Sequence, residues 1–113
     1  MTIKEEIRDN IAILHLKGNM MGGPDTMEVH EKVKSLIGDK VTNVVIDLSK
    51  VKWMNSSGLG ALMACMSSLK NSDGQLKISG ATEKIKNLFM ITKLMTIFNT
   101  YETVDRAVAS YKA

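Results

Sequence analysis

A single cysteine, Cys65, rules out an internal disulfide, and with two well-separated histidines, His15 and His30, it falls short of any standard zinc-ligand set. Aromatic residues are also scarce, with one tryptophan, two tyrosines and two phenylalanines in 113 residues. A base-stacking platform is therefore missing, although the net charge of +3 invites a nucleic-acid reading. Arg8 and Arg106 are the only arginines. The other basic residues are lysines scattered singly, the pattern of a solvated surface or of one that meets an acidic protein partner. No apolar run approaches the ~20 residues that span a bilayer, and Met1 to Glu6 lacks the apolar core of a signal peptide. The expectation is a cytoplasmic protein with no membrane segment and no direct role on nucleic acid.

What is present suits a compact core: 44% of the residues are hydrophobic and 24% charged, and the length fits one domain over residues 1–113. Ile3, Glu5 and Ile7 alternate, Asp9-Asn10 signals a turn, and alternation resumes from Ile11 to Leu16, so the first eighteen residues read as a β-hairpin ending at Gly18. Asn19 to Asp25 reads as a loop. Met27, His30, Val33, Leu36 and Ile37 then recur at helical spacing up to Gly38. Val44-Val45-Ile46 is the continuous apolar run of a strand covered on both faces, and Leu59, Leu62, Met63, Met66 and Leu69 mark a second helix that closes near Asp73-Gly74. Leu76 to Ser79 is the next strand. A short helix capped by Thr82, a strand at Ile97-Phe98 and a last helix through Val104, Ala107, Val108 and Tyr111, capped by Thr100 or Thr103, complete the chain.

Strand, helix and strand within about thirty-five residues form a crossover unit with parallel strands. Ser56 then stands at the carboxyl end of a strand, where helix N-termini with unpaired N–H groups converge. One serine of the Ser56-Ser57 pair serves as helix cap, while its neighbour faces outward. A phosphate there would add about −1.5 to −2 charge and three acceptor oxygens. Gly58 and Gly60 each cost about 1 kcal/mol against alanine inside a helix. Packing against the sheet and close approach by another protein explain them equally well from sequence.

Catalytic signatures are thin. Neither His15 nor His30 has an acidic partner nearby in sequence, and Met54 and Asn55 occupy positions where a nucleophile elbow needs glycine. Gly58-Leu59-Gly60 lacks the third glycine of a dinucleotide fingerprint, and no Gly-Lys-Ser/Thr exists for a P-loop. No enzyme activity, cofactor or metal is expected.

The run Ile46-Asp47-Leu48-Ser49, an apolar-rich spacer through Met54, then Asn55-Ser56-Ser57-Gly58-Leu59-Gly60 resembles the signature of the STAS domain family, in particular its bacterial anti-sigma factor antagonists. The flanks agree: the Ile11 to Gly18 strand, Leu76-Lys77-Ile78-Ser79-Gly80, the Leu88-Phe89 helix, Ile97-Phe98 and the closing helix fall in the family's order. The resemblance implies an α/β STAS fold, a mixed β-sheet of 4–5 strands with four α-helices. It implies an anti-sigma factor antagonist that binds an anti-sigma factor with serine kinase activity, releases a sigma factor, and is switched off by phosphorylation of Ser56 until a serine phosphatase resets it. Asn55, Ser56, Ser57, Gly58, Gly60, Met54 and Asp25 are the expected partner-binding residues. With Ser56 as phosphoacceptor, the resemblance leaves Ser57 as the expected helix cap. Asn55 departs from the family, where aspartate is commoner, and Met21 stands where the family often has aspartate, so that either Asp25 takes over that role or the role is absent. The alternative is a STAS module in a lipid-transport or signalling assembly, or a small-ligand sensor, without a phosphoserine switch.

Overall fold

A computed structural model of the chain describes residues 1–112. Strand β1, Thr2–Arg8, turns through Asp9 and Asn10, both at positive φ (54° and 63°), into β2, Ile11–Met20. Asx residues tolerate that left-handed geometry, which matches the twist of a two-residue hairpin. Helix α1, Gly23–Gly38, leads to β3, Asn43–Met54; helix α2, Ser56–Asn71, leads to β4, Gln75–Ser79. Helix α3, Glu83–Ile91, a 3-10 turn at Leu94–Thr96, strand β5, Asn99–Tyr101, and helix α4, Val104–Lys112, follow. The five strands lie in sequence order in one sheet, β1 antiparallel to β2 and the rest parallel. The expected mixed sheet with four α-helices is thus present.

Repeated crossovers of one hand put α1, α2 and α3 on the same face. Val29, Val33 and Leu36 of α1, Leu62, Cys65 and Leu69 of α2, and Ile85 and Phe89 of α3 close over Ala12, Leu14, Leu16, Val44, Ile46 and Ile78. Helix α4 crosses to the other face, where Ala107 and Val108 cover Ile11, Ile13 and Val45. This accounts for the unbroken Val44-Val45-Ile46 run, since successive side chains enter opposite cores. Tyr111 anchors α4 by donating its hydroxyl to the carbonyls of Val44 and Gln75 at 2.7 and 2.8 Å. Burial pushes that phenol above its ordinary range.

Two sequence expectations are corrected. The supposed loop from Asn19 to Asp25 is shorter, because β2 runs to Met20 and α1 starts at Gly23. Gly22 and Gly23 turn the chain at φ 93° and 77°, and Thr26 Oγ1 accepts from the Gly22 N–H at 2.9 Å. Strand β3 stays paired with β2 as far as Met54, with one extra residue on β3 at each of two irregularities. The last strand is Asn99–Tyr101, not Ile97-Phe98. Phe98 instead leaves the 3-10 turn to pack on Phe89, with ring centroids 5.4 Å apart. For α4, Thr103 is the capping threonine, accepting from Arg106 N–H at 3.1 Å.

Candidate functional site

Strand β3 ends at Met54, whose register partner is Met20, the last residue of β2. Both side chains are fully buried, and they close the end of the sheet from which α2 departs. Asn55 then leaves the strand in extended conformation and caps α2, its Oδ1 accepting from the Gly58 N–H at 3.1 Å. Its Nδ2 donates to the Met21 carbonyl at 2.9 Å, and its backbone N–H donates to the Met20 carbonyl at 3.1 Å. One amide side chain therefore fixes both the helix start and the loop that leads to α1. Ser57, the expected cap, does not act as one.

With the cap supplied by Asn55, both serines are exposed in the first turn of α2. They face different surroundings. Ser57 lies against Gly22, where a Cβ would stand 3.1 Å from the serine Cβ, and it lines a cleft of about 360 Å³ between the helices with Gly22, Thr26, Met27, His30 and Ala61. Ser56 is outside that cleft. Its hydroxyl stands at a helix N-terminus, where the unpaired N–H groups and the macrodipole favour an anion, and no capping duty holds it.

The two glycines separate on geometry. A Cβ at Gly58 would come within 2.9 Å of the Met20 Cβ and 3.0 Å of the Met54 Cβ, and closer still to the Met20 carbonyl oxygen, so Gly58 lets α2 pack onto the strand ends. At Gly60 a Cβ would meet nothing within 4 Å, and the residue is exposed. Packing does not require a glycine there.

Of the expected partner-binding residues, Asn55, Ser56, Ser57 and Gly60 come together at the start of α2. Met54 and Gly58 are corrected: both are buried in the junction between sheet and helix and have no surface to offer a partner. Asp25 is exposed in the first turn of α1, beside the Gly22-Gly23 turn, and accepts from the Met1 amino group at 3.2 Å. Met21 and Met27, both at least half exposed, flank the site.

Sequence reasoning missed one cluster. On the α4 side of the sheet, His15 Nδ1 lies 2.7 Å from Asp47 Oδ2 and its Nε2 lies 3.0 Å from Glu6 Oε1, while Arg8 also donates to Glu6. Burial alone would lower the imidazole pKa, but the two carboxylates outweigh it and leave the pKa raised. Burial would likewise raise Asp47, yet the Ser49 N–H, at 3.0 Å, and His15 hold it below the usual carboxylate range. Asp47, inside β3 rather than at its end, thus makes both a local backbone bond and a bond to His15 that sequence did not disclose. The partners of His15 sit nine and thirty-two residues away, so only the strand register reveals them.

The architecture and this turn define a class, that of small mixed-sheet α/β domains with a hydroxyl-bearing helix mouth at the carboxyl end of a central strand. Residues 2–107 match the STAS domain, and the chain belongs to the STAS domain family. It is 29% identical over 78 residues to an anti-sigma-B factor antagonist of Staphylococcus aureus, an alignment covering 69% of this chain and 72% of the relative. Among solved structures, a proposed anti-sigma factor antagonist from Thermotoga maritima superposes with a TM-score of 0.88 at 19% identity, covering 98% of this chain and 95% of the other. The Bacillus cell fate determinant SpoIIAA in its phosphorylated form superposes with a TM-score of 0.75 at 16% identity, covering 97% and 99%. The fold is that of anti-sigma factor antagonists.

Proposed function

We propose that this protein is an anti-sigma factor antagonist, a binding protein rather than an enzyme, controlled by phosphorylation of Ser56. The observation that carries the proposal is the division of labour at the α2 mouth. Asn55 supplies the cap, Ser57 turns toward α1, and the exposed Ser56 hydroxyl is left without a structural task. The existence of a relative in phosphorylated form, together with curated relatives called anti-sigma-B factor antagonists, supports the same reading.

In the unmodified state the α2 mouth, with Asn55, Ser56, Ser57, Gly60 and the neighbouring Asp25, docks on an anti-sigma factor, which then releases its sigma factor. The anti-sigma factor is itself a serine kinase. It transfers the γ-phosphoryl group of ATP to Ser56 Oγ, ADP leaves, and the hydroxyl proton passes to solvent or to a base of the kinase. A dianion at the first turn of α2 is favoured by the macrodipole, by about 0.3 to 1 kcal/mol, so the domain stays folded. The loss falls on the complex, where repulsion and desolvation of the phosphate disfavour docking. A serine phosphatase restores the hydroxyl. The site of action is the cytoplasm, where ATP and sigma factors are found, and no helix among the described residues is long and apolar enough to cross a membrane.

The test is to incubate the protein with a serine-kinase anti-sigma factor and ATP and to map the product by mass spectrometry. The reading requires one phosphate on Ser56, absent from Ser56→Ala and retained by Ser57→Ala. A phosphate on Ser57 instead, or a folded protein left unmodified while the same kinase modifies another antagonist, refutes it.

A further inference from the structure

Helix α4 covers Ile11, Ile13 and Val45 on its side of the sheet. Further along the same strands the sheet face carries two adjoining hollows, of about 280 and 470 Å³, which share Lys17 and Lys50. Thr2, Lys4, His15 and Asp47 line the first; Asn19, Ser49, Lys52 and Thr82 are among those lining the second. Lys17 and Lys50 are direct register partners on β2 and β3. Like charges placed opposite each other across a sheet disfavour the folded state, and no carboxylate lies within salt-bridge distance of Lys4, Lys17, Lys50 or Lys52 among the described residues. Elsewhere on the surface, Lys86 pairs with Glu102, Lys112 with Asp9, and Arg8 with Glu6 and Asp105. The one acidic residue in the hollows, Asp47, is already bonded to His15 and to the Ser49 N–H.

We propose that this lysine-lined face binds an acidic, extended segment of a partner protein. Several features select that occupant. Four cations spread over both hollows suit a chain bearing several carboxylates better than one small anion. Concave surfaces of one sign focus the field and raise the local concentration of the opposite charge. Nucleic acid is disfavoured because no phenylalanine, tyrosine, tryptophan or arginine side chain lines either hollow and the His15 ring is held between Glu6 and Asp47, whereas strand-binding proteins add stacking platforms to their basic grooves. A membrane surface is disfavoured because the apolar residues present, Leu16 and Val51, are buried and none projects to enter lipid. The face is independent of the Ser56 hydroxyl, which lines neither hollow.

The probe is a fluorescein-labelled oligoglutamate peptide followed by anisotropy, with backbone amide shifts to locate it. The intact protein should bind it in a salt-sensitive manner, with shifts centred on residues 15–19 and 47–52. Lys17→Glu with Lys50→Glu should weaken binding by about tenfold or more, and the milder Lys17→Gln with Lys50→Gln should weaken it less, as expected when charge complementarity supplies the attraction. Lys70→Glu with Lys84→Glu, equal in charge change but elsewhere on the surface, should leave it nearly unchanged, and Ser56→Ala should bind like the native protein. Equal weakening by both glutamate pairs, shifts scattered over the surface, or tighter binding to a single-stranded oligonucleotide or to anionic vesicles of matched charge would overturn the proposal.

Discussion

The Asn55 side-chain amide donates to the Met21 carbonyl while its oxygen caps the Gly58 N–H, so one residue joins the end of β2 to the start of α2. An aspartate could keep the cap but has no hydrogen to donate to Met21 and would set a carboxylate against a carbonyl oxygen. Asn55→Ala should lower stability by about 1 kcal/mol or somewhat more, since a cap and a second bond are lost together. Asn55→Asp should fall between the two, because it retains the cap. Urea titrations of the three proteins measure the order directly, and an alanine variant as stable as the native protein would deny the cap its role.

Gly58 and Gly60 should respond in opposite senses to alanine. At 58 the added methyl group is driven into Met20 and Met54, an overpacked junction that costs about 1–3 kcal/mol. At 60 it meets open solvent, so the usual helix preference should raise stability by about 0.5–1 kcal/mol. If Gly60 serves close approach, the same substitution that steadies the free protein weakens its hold on the anti-sigma factor. Paired melting and affinity measurements separate the two effects, and a Gly60→Ala protein with unaltered affinity would remove Gly60 from the docking surface.

His15, between Glu6 and Asp47, makes stability depend on pH. Its folded pKa is raised, so its contribution is full below the ordinary imidazole value of about 6.5 and is lost as pH rises through the folded value. The pKa values of Glu6 and Asp47 are lowered, so their contribution is present above the ordinary carboxylate values and is lost as pH falls through the folded ones. The native protein should therefore exceed His15→Gln in stability most clearly between about pH 5 and 6.5, with the margin shrinking toward alkaline pH. Thermal melts of both proteins across that range check the sign, and a margin that grows above pH 7 would contradict the cluster.

Features written in short-range pattern were legible. The alternation of Ile3 to Leu16, broken at Asp9-Asn10, gives the hairpin, and the helical spacing of Leu59 to Leu69 gives α2. Features set by distant neighbours were not. The tail of β3 hides because two extra residues on β3, each against an unbroken stretch of β2, break strict alternation between Asp47 and Met54. Strand β5 hides because it is three residues long and has only one neighbour, β4, while the more apolar Phe98 is drawn into the core against Phe89. The serine turn itself was readable by motif, but the cap assignment missed because asparagine and serine compete for the same role and only the bond to Met21 favours Asn55. Likewise, the burial of Met54 follows from its pairing with Met20, which the flexible thioether does not announce.

The central claim is that charge on Ser56 abolishes docking while leaving the fold unchanged. The most direct measurement is the affinity of one anti-sigma factor for the unmodified protein and for protein phosphorylated at Ser56, with amide spectra of both. The account predicts a loss of about a hundredfold, near 2.7 kcal/mol, with spectral change confined to the α2 mouth. Equal affinity of the two forms, or unfolding on phosphorylation, would contradict it.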